Sequence, residues 1–144
     1  MLNKKILFYF LVLLSSSQIL FANYGFYRKV ANTCKYYRVE IDEKKMQLTK
    51  NTDGSYNFSI EMKSLRNNFE MVMLVGFISV GQAITHQESF AKKKPGYQPV
   101  IPGDTEVTVT VPVSRESTII TAKATVDDIR QLSCLLYTSD AADE

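Results

Sequence analysis

From residue 64 to residue 88 (SLRNNFEMVMLVGFISVGQAITHQE) apolar positions return every three or four residues. Leu65, Phe69, Val72, Gly76, Val80 and Ala83 form one stripe of a 3.6-residue period. Between Met71 and Val80 nearly every side chain is apolar, so a helix there needs cover around most of its circumference. Ser64 stands where an N-cap hydroxyl would take an orphan backbone N–H. Gly76 and Gly81 are poor helix formers, and their use points to close approach of another segment. A long central helix over about 64–88 is the element that the rest must cover.

Elsewhere the period is two. Residues 35–42 (KYYRVEID) set Tyr37, Val39 and Ile41 against Arg38, Glu40 and Asp42, which predicts a half-buried strand. Glu43, Lys44 and Lys45 make a charged turn, after which Met46 and Leu48 resume the alternation. The Asp53-Gly54 pair then closes a hairpin onto Tyr56, Phe58, Ile60 and Met62. Residues 91–104 carry Pro95, Pro99 and Pro102 and read as a connector. Val107, Val109, Val111 and Val113 mark a further strand, with Pro112 placing it at an edge or a bulge near its end. Residues 114–117 turn the chain into a partner strand over 118–124. Thr125 to Asp128 fits a capping box that opens a second helix near 126. The expectation is an α+β domain: a small antiparallel sheet of about five strands packed on one long apolar helix, with the second helix cut short. Tyr37, Val39, Ile41, Phe58, Ile60 and the valines of 107–113 are expected to face inward.

The ends change how much of the chain is counted. Lys4 and Lys5 precede a nine-residue apolar run (ILFYFLVLL), and Ser15 to Gln18 follow, then Ile19, Leu20 and Phe21 before the small Ala22. This is the pattern of a signal peptide over 1–22, cleaved after Ala22, with Ser17 as the alternative because Leu20 is larger than the ideal residue at its place before the cut, and it implies a periplasmic or secreted protein. At the other end, residues 134–144 (CLLYTSDAADE) resemble an in-frame translation of a transposon-end sequencing adapter, so 134–144 is expected not to be native protein. The expected domain is therefore 23–133, incomplete at its C-terminus. Its net charge is about +3, too mild to argue for nucleic acid. Cys34 is then the single cysteine, and a pairing with Cys134 is not expected.

Candidate chemistry is sparse. The aromatic and basic mixture over 23–35 (NYGFYRKVANTCK) is expected to pack its rings on the sheet while Arg and Lys reach water. Thr49, Asn51, Asp53 and Gly54 fall at calcium-loop positions, but Ile60 stands where the closing glutamate belongs. His86 is the only histidine, which removes most triads and zinc sites, and it lies on a helix two residues from Glu88, pointing elsewhere. No phosphate loop or Cys-x-x-Cys occurs. The sequence is thus read as non-catalytic, without cofactor or metal, and without a transmembrane segment after signal cleavage. The leading expectation is an interaction module for a protein partner, or self-association, through the central helix, with Met71, Leu74, Val75, Ile78 and Lys92, Lys93, Lys94 as the surface. A carrier of a small apolar ligand, lodged between sheet and helix at Gly76 and Gly81, is the alternative. The lysine run meeting an anionic envelope surface is the third.

Overall fold

A computed structural model describes the backbone of residues 3–142 and the side chains of residues 3–9 and 23–135. Helix α1 (Lys4–Tyr36) leads into strands β1 (Ile41–Lys50) and β2 (Tyr56–Lys63). Helix α2 (Phe69–Lys93) follows, then strands β3 (Pro102–Val113) and β4 (Glu116–Thr125) and helix α3 (Val126–Ala142). The strands form one sheet in the order β1-β2-β3-β4. The fold is α+β with a long helix on a sheet, as the periodicities predict, but the sheet is mixed and has four strands. β1–β2 and β3–β4 are antiparallel hairpins, whereas β2 and β3 run parallel, with α2 as the crossover.

The missing fifth strand has a local cause. The strand expected at 35–42 is largely the end of α1 and its exit turn. Arg38 takes a left-handed φ of 59°. Its N–H bonds to the Lys35 carbonyl, and the Val39 N–H bonds to the Cys34 carbonyl. That pair of bonds is a Schellman cap, and Val39 and Cys34 meet inside the core as such caps favour. The charged residues expected to turn the chain at 43–45 lie instead in a bulge of β1, between the pairs Ile41↔Met62 and Met46↔Ile60. Tyr37 is accordingly exposed in the turn, and Val113 is exposed at the tip of the β3–β4 hairpin. The other expected inward residues, Val39, Phe58, Ile60, Val107, Val109 and Val111, are buried, and Ile41 packs partly buried against them.

α2 begins at Phe69, five residues later than expected, with Asn68 as its N-cap residue and Ser64 in the preceding loop. The Ser64 N–H is held by the Thr110 carbonyl, which continues the sheet rather than the helix. Three elements cover α2. The sheet meets it where Gly76 lies: a Cβ there would stand 2.8 Å from Val107 Cγ1 and 3.0 Å from Met62 Sδ. α3 meets it at Gly81, against Ile129 and Ser133. α1 supplies Phe26, Val30 and Cys34, all fully buried in the same core. α2 is long and apolar enough to cross a membrane by length and composition, yet half of its most apolar stretch is buried inside the protein. The capping box opening α3 is formed as expected. Asp128 accepts from the Thr125 N–H and hydroxyl, and the Asp128 N–H donates to Thr125 Oγ1. The segment expected to be a signal peptide is helical backbone continuous with the rest of α1, with Ile6 to Tyr9 exposed, while the side chains of 10–22 lie outside the described residues. The tail expected to be adapter-derived shows Cys134 and Leu135 exposed, and its side chains from 136 onward also lie outside them.

Candidate functional site

At the C-terminal end of α2 a cavity of about 360 Å³ opens between that helix, α1 and the loop that leads to β3. α2 contributes His86, Gln87 and Phe90, α1 contributes Gly25, and the loop contributes Lys94 to Tyr97. Helical spacing explains the first set, since 86, 87 and 90 are one and four residues apart and share one side of the last turns. The loop turns back because Gly96 adopts a φ of 83°, open to glycine at little cost.

Gln87 fixes the geometry. It is buried, and its Oε1 accepts from the Tyr97 hydroxyl at 2.9 Å and from the Val100 N–H at 3.1 Å. A buried amide committed in this way pins the loop to the helix, since leaving it unpaired would cost about 1–3 kcal/mol. Pinning places the Tyr97 ring 4.7 Å from the Phe90 ring, edge to face, and His86 stands 6.5 Å from Phe90. Phe90 lines the opening and remains 41% exposed. The Lys94 ammonium sits 5.9 Å over the Phe90 ring. Gly25 leaves the floor open: a Cβ there would have only Gln87 Nε2 near it, at 3.4 Å.

A second depression shares His86 and Phe90 and adds Lys29 and Lys93. Neither depression has an aspartate or glutamate in its lining, so every full charge around them is positive. Glu88, which the sequence pairs with His86, faces away and bonds Arg130 at 2.8 Å.

The residues singled out from sequence separate into three groups. Lys93 and Lys94 line the two depressions, and Lys92 is exposed in the last turn of α2. Met71 and Leu74 are exposed near the start of α2, a surface position as expected. Val75 and Ile78 are corrected: they are buried, at 3% and 6% exposure, and belong to the core. The space expected for a ligand at Gly76 and Gly81 is also corrected, because the side chains of Val107, Met62, Ile129 and Ser133 fill it. In the candidate calcium turn, Asp53 Oδ1 accepts from the Ser55 N–H and hydroxyl, and Asn51 donates to Ser55 Oγ. Those groups close the hairpin, and the Ser55 hydroxyl and N–H hold the Asp53 carboxyl below its ordinary range. Among the described residues no three His, Cys, Asp or Glu side chains gather as metal ligands. Cys34 is buried, and burial raises its thiol pKa, partly offset by the Ser79 hydroxyl.

His86, Phe90 and Tyr97 are the residues that sequence reasoning missed as a group. The available signal was the aromatic residue on each side of the Lys-Lys-Lys-Pro-Gly stretch, which must double back if Gly96 turns the chain. Comparison of the chain with protein-family models, curated proteins and solved structures finds no match in any of the three.

Proposed function

We propose that this chain is a non-catalytic binding module, working in the periplasm or outside the cell, that holds a small molecule at the C-terminal end of α2. The cavity walled by Phe90, Tyr97 and His86 carries this reading. Its volume of about 360 Å³ falls in the range of small-ligand sites, roughly 300–1,000 Å³. Export rests on the charged start and apolar run before Ala22. Native mass spectrometry of the exported protein is the test. A bound small molecule lost on substituting Tyr97 supports the reading, and protein that is empty as purified and silent to a ligand library overturns it.

The sequence-based expectation of a protein partner or self-association keeps one observation in its favour. Met71 and Leu74, three residues apart on α2, are 47% and 42% exposed, and Leu65 just before the helix is 66% exposed. Light scattering over a concentration series, with Leu74→Glu as the control, tests it. Concentration-dependent growth abolished by that substitution supports association, and a constant monomer mass opposes self-association.

A further inference from the structure

The geometry points to a flat aromatic acid, of one or two rings and a single negative charge, as the ligand class of the cavity between Phe90, Tyr97 and Lys94. This rests on the small-ligand reading above and adds the chemistry of the ligand. Three features of the lining converge on it.

The first is the aromatic wall. Phe90 and Tyr97 meet edge to face at 4.7 Å, and Phe90, which lines the cavity, stays 41% exposed. A ring entering there gains offset or edge contacts of the kind aromatic pairs prefer. The second is the sign of the charge. Lys94 is the one fully charged side chain in the lining, and no carboxylate faces it there. Its ammonium lies over Phe90, so an anionic group on a ring stacked beside Phe90 comes within its reach. Lys93 and Lys29, which line the second depression shared with Phe90, add positive potential, and no acid lies in that lining. The third is the rigidity of the frame. The double acceptance by Gln87 Oε1 fixes Tyr97 and the loop before any ligand arrives, so little ordering remains to be done on binding. Gly25 explains why the cavity stays open, since any larger side chain at that helix position would grow into it.

The experiment uses the full chain and three probes: 2-naphthoate, its neutral amide, and cyclohexanecarboxylate. Binding is followed by NMR shifts of the His86 and Tyr97 ring signals. The expected result is saturable binding of 2-naphthoate, with the amide weaker by about tenfold, the scale of one charge-assisted contact at a half-open site. Lys94→Gln should bring naphthoate down to the affinity of the amide. Gly25→Leu should abolish binding of both without lowering the melting temperature, because leucine is the better helix former. Equal affinity of acid and amide overturns the acidic ligand class while leaving a small-ligand site standing. Tight binding of cyclohexanecarboxylate overturns the aromatic requirement in the same way. No shift at His86 or Tyr97 from any probe at millimolar concentration overturns this inference, while the small-ligand reading falls only if native mass spectrometry also finds the protein empty and silent to a ligand library.

Discussion

Thr105 lies 1% exposed on β3, paired with Phe58 on one side and Ala124 on the other, and its hydroxyl has no hydrogen-bond partner. A buried hydroxyl left unpaired costs about 1–3 kcal/mol. Valine keeps the β-branched shape that a strand favours and removes the orphan oxygen. Thr105→Val is therefore expected to stabilise the protein by about 1–2 kcal/mol, read from the urea midpoint at unchanged slope. Arg38 offers a second single-residue gain. It holds φ at 59° as the left-handed residue of the α1 cap, a conformation that costs a side-chain residue about 1–2 kcal/mol and glycine almost nothing. Arg38→Gly should gain about 1 kcal/mol in the same measurement, whereas Arg38→Val should lose stability because a β-branched residue fits that region worst. Neither position was legible in the sequence. Alternation marks Arg38 as an outward strand residue, and no pattern of neighbours shows that the Thr105 hydroxyl will find no partner.

Between elements, the contact of α2 with the sheet depends on one absent methyl group. Gly76→Ala improves helix propensity by up to about 1 kcal/mol, but its Cβ would sit 2.8 Å from Val107 Cγ1. Val107 is stiff about its first side-chain torsion and fully buried, so it has little freedom to withdraw. Overpacking of this kind costs about 1–3 kcal/mol. The expected outcome is a net loss of about 1–2 kcal/mol for Gly76→Ala, with the two changes partly compensating in Gly76→Ala/Val107→Ala when compared by a double-mutant cycle. The cap of α3 supplies the pH dependence. The Thr125 hydroxyl and N–H lower the pKa of the Asp128 carboxyl in the folded protein. A depressed carboxyl pKa contributes stability above its unfolded value and loses it as pH falls through the folded one. Stability should thus decline below about pH 4, and Asp128→Asn should flatten that part of the profile in a pH series of thermal melts. This cap was readable because its partners lie three residues apart. The parallel pairing of β2 with β3 was not, because alternation within each strand is the same for either direction. The clue was connectivity: two strands separated by a 25-residue helix call for a crossover, not a hairpin.

At the scale of the whole molecule, the apolar circumference of α2 sets the requirement, and α1 is the element that the strand pattern concealed. The sequence correctly demands more cover for α2 than one sheet can give. The tyrosines and phenylalanine over 23–37 suggest aromatic packing on a sheet, yet Phe26, Val30 and Cys34 recur every fourth residue, which is a helix stripe. That stripe fills one side of α2, α3 fills another at Gly81, and Met71, Leu74 and Phe90 remain exposed. The candidate cavity depends on the same arrangement, since Gly25 of α1 is its floor. Its polar frame was hidden because Gln87, read from sequence, is one more polar residue near a helix end. Removing α1 should therefore do more than weaken the fold. Burying Phe26 and Val30 alone is worth about 1.5–3 kcal/mol each, against a typical net stability of about 5–15 kcal/mol, and their loss also bares the α2 face beneath them. A chain begun at Asn23 keeps every described α1 residue that is buried in the core, and it should melt cooperatively by circular dichroism. One begun at Val39 should lose the near-ultraviolet signal and bind a dye for exposed apolar surface. Cooperative, dye-silent melting of the shorter chain would show that α2 does not need α1, and the burial argument for the whole fold would fail with it.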